Sequence, residues 1–147
     1  FNTRLGDPET HAVLMRFEHD DFFRLCLSYS KNQFADLKLN FSKQSAICVV
    51  MAAHSYPEGF SQNATIQGIH RAEAIVKNAS VKVFFAGAKL SGNQLLTAGG
   101  RVLGVCAKSP KISNAQKLAY KAIKQIECGD LFYRKDIANR AIISTIE

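Results

Sequence analysis

AICVVMAA, residues 46–53, is an unbroken apolar run with β-branched Ile47, Val49 and Val50 inside it. It is too short for a typical globular helix and has no polar face, so it reads as a strand buried on both sides. VKVFFAG (81–87) and RVLGVCA (101–107) read as two further strands. Between them LSGNQLLT (90–97) carries a hairpin turn, with Ser91-Gly92-Asn93 supplying positive φ. HSYPEGF (54–60) is a loop, and residues 70–77 form a short helix.

Further out the period changes. From Asn114 to Ile126 the residues Leu118, Ala119, Ala122, Ile123 and Ile126 recur at helical spacing, and Gly129 reads as the C-cap. The segment from Leu131 to Ile143 reads as irregular or helical. Leu37, Leu39 and Phe41 alternate as a half-buried strand does. At the front, Phe1 to Arg4 reads as the end of a strand. A helix follows from Pro8 to about Glu18, with Asp7 as its cap, Pro8 at its first position and Glu9 complementing its dipole. Asp20 caps a second helix. The pattern breaks over Asn32 to Asp36, which sets a boundary between residues 1–35 and 36–147. The sum is an α+β chain: the tail of one α+β domain, then a small mixed sheet with a helix or two.

The chain has 147 residues, 47% of them hydrophobic and 21% charged, which suits one domain or one domain plus an appendage. No apolar run reaches the roughly 20 residues that span a bilayer, and no basic-then-apolar leader is visible. The formal net charge is +7. The Lys and Arg residues are scattered, which reads as a solvated basic surface and also suits a phosphate-bearing small molecule. Nucleic acid and membrane are therefore not expected partners, although a non-catalytic basic binding module is the alternative to an enzyme. Cys26, Cys48, Cys106 and Cys128 form no CxxC pair, and the four His residues show no metal-ligand spacing. Free thiols in a reducing cytosol are the simplest account.

Two stretches carry chemistry. In NTRLGDPET (2–10), Asn2 and Arg4 share one strand face and lead into the exposed N–H groups of the next helix. An amide oxygen, a guanidinium and a helix N-terminus within one turn of chain suit a metal-bound polyphosphate or an acyl phosphate. The same residues also read as a strand edge followed by an ordinary capped helix. In AGAKLSGNQLLTAGGRVLGV (86–105), Lys89 and Arg101 stand at two strand ends, and Gly99 and Gly100 precede the Arg. Such glycines leave backbone free to approach an anion. They equally mark a bulge in a hairpin with two solvated charges.

Taken together, NTRLGDPET, CVVMA, SYPEGF, VFFAGAKL, TAGGRVLGV and FYRKDIANRA resemble, in order, the C-terminal segments of one family. This is the phosphoribosylamine–glycine ligase, or glycinamide ribonucleotide synthetase, family of the ATP-grasp superfamily. The resemblance covers nearly the whole chain. It departs at His54-Ser55-Tyr56-Pro57, where Gly-Gly-Tyr-Pro is frequent, and at Leu5, where an aromatic is.

The resemblance implies residues 1–35 as the end of an ATP-grasp domain. It implies residues 36–147 as a small, mostly antiparallel sheet domain with flanking helices. The implied reaction joins glycine to 5-phosphoribosylamine through a glycyl phosphate, at the expense of ATP, in purine biosynthesis. Asn2 is then a ligand of Mg²⁺ or Mn²⁺, and Arg4 stabilises the transferred phosphoryl group. Asp7 and Glu9 orient substrate, and Lys89, Gly99, Gly100 and Arg101 hold the ribose 5-phosphate. The resemblance further implies a cytoplasmic parent, monomeric or weakly dimeric. It implies a fragment that opens inside the active site and is inactive without the upstream part of the same enzyme.

Overall fold

The computed structural model describes residues 4–18, 21–33, 35, 37–76 and 80–144. In chain order the elements are α1 (Asp7–Leu14), α2 (Asp21–Ser30), β1 (Ser45–Ala53), β2 (Thr65–Ile66), α3 (Ile69–Glu73) and β3 (Val81–Phe85). They continue as β4 (Ala88–Ser91), β5 (Gln94–Thr97), β6 (Arg101–Ser109), α4 (Ile112–Ile123), β7 (Leu131–Tyr133) and α5 (Asn139–Ile143).

β1 and β6 are the two centre strands of a four-stranded sheet ordered β3-β6-β1-β7, antiparallel throughout. Both faces of this sheet are covered, by α4 on one side and α1 on the other. That is why 46–53 is apolar without alternation. Ile47, Val49 and Met51 pack toward α4, while Cys48 belongs to the cluster under α1. α4 presents Ala115, Ala119, Ala122 and Ile123, all buried, so mostly methyl groups lie between helix and sheet. β2, β5 and β4 form a second, three-stranded antiparallel sheet. Gly92, in the two-residue turn between β4 and β5, takes φ 57° as expected.

The register of β1 against β6 runs from Ser45↔Ser109 to Met51↔Leu103 and then shifts, so that Ala52 faces Arg101. Val102 is thus the extra residue of a bulge, the device that bends a strand and re-aims a side chain. Here it turns the start of β6, and Arg101 with it.

Several sequence expectations need correction. Residues 131–133 form a strand, β7, because Leu131, Phe132 and Tyr133 pair with the open edge of β1 at Met51–Ala53. The tail is helical only from Asn139. Residues 37–41 form no strand beyond one bridge, Phe17↔Phe41. Their partner is the turn after α1, where the Ser42 N–H donates to the Arg16 carbonyl and the Arg16 guanidinium donates to the Ser42 carbonyl. The same pairing ends the first helix at Leu14, short of Glu18.

Asp7 is not the cap of α1. Gly6 holds that position in extended conformation, and Asp7 is the first helical residue. Gly129 is not a C-cap either: α4 ends at Ile123, and its cap is Lys124 in right-handed conformation. The chain then leaves the helix to exchange backbone hydrogen bonds between Glu127 and Gln67. The expected cap Asp20, and the strand expected over Phe1 to Thr3, lie outside the described residues. Arg4 itself is exposed in irregular backbone.

Candidate functional site

α1 lies across the sheet so that its first turn meets the start of β6. The Asp7 carboxylate sits 3.3 Å from the Arg101 guanidinium, with both side chains about half exposed. An exposed pair of this kind contributes less than ~1 kcal/mol to stability, so its effect is to position the guanidinium. Beside it opens a cavity of about 460 Å³. Its lining is mostly apolar, with Cys48, Val50, Ala52, Phe132, Tyr133 and Ile137. The lining also includes one carboxylate residue, Glu9, two arginines, Arg101 and Arg134, and Tyr56. This volume and lining suit a small organic ligand with an anionic end.

Arg134 is held by a two-pronged pair with Asp136, at 2.9 and 2.6 Å. The guanidinium holds the Asp136 carboxyl below the usual carboxylate range. Tyr120 steadies this corner, its hydroxyl donating to the Arg134 carbonyl and accepting from the Ile137 N–H.

The structure thus brings Asp7, Glu9 and Arg101 together. Lys89 stands exposed on β4 opposite Leu96 and does not line the cavity. Its strand is nonetheless tied to β6, since the Gly87 N–H donates to the Arg101 carbonyl at 2.8 Å. Gly99 and Gly100 serve close packing. A Cβ on Gly100 would lie 2.2 Å from the Tyr56 ring, and one on Gly99 would lie 3.0 Å from Gly87. Arg4 leads into α1, and Asn2 lies outside the described residues.

Tyr56, Tyr133 and Arg134 are site residues that the sequence reading quoted without assigning a role. Only the fold brings 56 and 132–137 beside Arg101. Among the described residues no three Asp or Glu carboxylates gather closely enough to hold an ion together, and Asp7 is engaged by Arg101.

Under α1 lies a second group. His11 stacks flat on Phe84, with ring centres 4.4 Å apart, and its Nδ1 is 3.9 Å from the Cys48 sulfur. Burial lowers the His11 pKa, opposed in part by the nearby Asp7 charge. Cys106, the register partner of Cys48, has its thiol pushed up by a hydrogen bond to Cys48 and by burial.

Residues 46–140 match the family model of the phosphoribosylglycinamide synthetase C domain. The chain belongs to that family. The chain is 40% identical over 142 residues to a phosphoribosylamine–glycine ligase of Allochromatium vinosum, covering 97% of this chain and 32% of the relative. It is 39% identical to the chloroplastic phosphoribosylamine–glycine ligase of Arabidopsis thaliana, covering 97% of this chain and 26% of that one. The crystal structure of the phosphoribosylamine–glycine ligase of Thermotoga maritima superposes with a TM-score of 0.72 at 26% identity, over 92% of this chain and 32% of that one. The chain therefore spans about a third or less of the length of these relatives. Among its described residues no helix is long and apolar enough to cross a membrane.

Proposed function

We propose that this chain is the C-terminal part of a phosphoribosylamine–glycine ligase and forms the phosphoribosyl side of its cleft. In that reaction ATP transfers its γ-phosphoryl group to a carboxylate oxygen of glycine, leaving ADP. The amine of 5-phosphoribosylamine then attacks the acyl carbon, and inorganic phosphate departs with the C–O electron pair. The product is glycinamide ribonucleotide. The observation that supports this reading most is that Glu9 and Arg101 line one cavity, with Asp7 paired to Arg101, in a chain of this family.

In this account Arg101 grips the 5-phosphate, because a guanidinium fork matches two phosphate oxygens. Asp7 holds the fork in position. Lys89 is assigned to the same phosphate from outside the cavity, on the strand that the Gly87–Arg101 hydrogen bond ties to β6. Gly99 and Gly100 shape it by letting Tyr56 and the Gly87 backbone close against β6. Glu9 orients the ribosyl or amine end from across the cavity.

Arg4, on the stretch entering α1, is assigned the charge that develops on the phosphoryl group. ATP and a divalent ion, Mg²⁺ or Mn²⁺ with Asn2 among its ligands, complete the proposal; the ion would supply neutralisation of phosphate charge. Residues 1–35 are assigned to the ATP-grasp domain and 36–147 to the substrate-side domain, in an enzyme whose adenine pocket belongs to its upstream part.

The test is Arg4→Ala in the complete enzyme. Losing one preorganised donor to the reacting group should lower kcat about 10²–10³-fold. Unchanged kcat would remove Arg4 from the chemistry.

A further inference from the structure

The sheet face under α1 holds three soft donors that the ligase chemistry leaves unused. Cys48 of β1 and Cys106 of β6 are directly opposed across the ladder. His11 of α1 comes down over them. Nδ1 or Nε2 of the ring and the two sulfurs all lie within 4.8 Å of one another. We propose that His11, Cys48 and Cys106 form a site for Zn²⁺ or a cation of the same thiophilic, tetrahedral class.

Geometry carries it. Zn–S near 2.3 Å and Zn–N near 2.0–2.1 Å separate tetrahedral donors by roughly 3.5–3.8 Å. The 3.9 Å between His11 Nδ1 and Cys48 Sγ is already close to that. With all three donors within 4.8 Å of one another, no pair needs to close by more than about an ångström. Stacking on Phe84 fixes the plane of the imidazole. Gly104 keeps the space above β6 open, since a Cβ there would stand 2.6 Å from Nδ1 and 3.1 Å from the Cys48 sulfur.

Charge agrees with the donor set. Cys106 is fully buried and Cys48 nearly so, among Met15, Ala12, Ala46 and Phe84. A divalent ion on two thiolates and a neutral imidazole is a neutral unit, which such surroundings accept. Two thiol protons leave to solvent for each ion bound. Mg²⁺ and Ca²⁺ prefer oxygen and are excluded by the donors. Joining the two sulfurs instead requires an oxidant to reach buried Cys106. An ion here staples α1, which carries Asp7 and Glu9, to both central strands.

The experiment is titration of the reduced, metal-free protein with Co²⁺, followed by Zn²⁺. A thiolate-to-Co²⁺ absorption band should saturate at one ion per chain and disappear when Zn²⁺ displaces it. Cys48→Ser should abolish the band, and Cys26→Ser with Cys128→Ser should leave it intact. Because Cys48 is buried, His11→Gln provides a milder variant, expected to weaken Zn²⁺ binding at least tenfold and to remove Zn²⁺-dependent thermal stabilisation. No band with Co²⁺ in excess overturns the proposal. So does a band that survives Cys48→Ser, or one lost with Cys26 and Cys128.

Discussion

Arg101 shows how one residue acquires two partners. Its backbone begins a centre strand, its guanidinium meets Asp7 from a helix 94 positions earlier, and its outer face lines the cavity. Because the pair is half exposed, Arg101→Ala should cost less than ~1 kcal/mol in a denaturant titration. In the complete enzyme the same change should raise KM for the phosphoribosyl substrate about 10- to 100-fold, the equivalent of ~1.5–3 kcal/mol for a hydrogen bond to a charged group. An unchanged KM would place the 5-phosphate elsewhere.

Glu73 gives a pH-dependent case. Burial alone would raise its carboxyl, but the Val83 N–H at 2.9 Å and Lys82 Nζ at 3.0 Å, with the nearby charges of Lys82 and His70, outweigh it and hold the group below its ordinary range. A carboxyl depressed in the folded state stabilises above its unfolded pKa, and that gain is lost as pH falls through the folded value. The stability advantage of the protein over Glu73→Gln should therefore be present at neutral pH and shrink below about pH 4. Parallel denaturation curves across that range check it.

At the level of elements, the central strands and α4 were legible because their patterns follow from burial. A strand covered twice is apolar throughout, and a helix covered once is amphipathic. β7 was not legible, since three apolar residues carry no period and acquire strand identity only by meeting the edge of β1. The alternation over residues 37–41 misled for the converse reason: alternation describes burial, and this segment found only the turn after α1 as a partner.

The Asp7–Pro8–Glu9 signal placed the start of the helix correctly but assigned Asp7 the wrong task. A carboxylate in the first turn favours the helix dipole whether or not it caps, and Arg101, remote in sequence, decides where it points. α4 offers the test of close packing. Ala119 is fully buried against the sheet, so Ala119→Leu should cost about 1–3 kcal/mol by overpacking, read as a lowered denaturation midpoint. Unaltered stability would mean that α4 is looser than its alanine face requires.

At the scale of the molecule, the charge of +7 has local meaning at Arg101 and Arg134, in the lining of one cavity, while other cations lie on solvated faces such as the Arg71–Glu127 pair. The ordered stretches from 48 to 141 identified the family, because each sits where the fold needs it. CVVMA lies in β1, TAGGRVLGV runs into β6, and FYRKDIANRA carries β7 and the Arg134 corner. The cysteine–histidine cluster had no linear signature, since α1, β1 and β6 each contribute one member.

The central claim, that this chain supplies the phosphoribosyl side of a ligase, is tested most directly by ADP release. The assay compares this chain alone with the same chain continuous with an upstream ATP-grasp region, with and without glycine and 5-phosphoribosylamine. The account predicts ADP release that requires both substrates and appears only in the longer form. Release from the longer form that is indifferent to 5-phosphoribosylamine, or none at all, would contradict it.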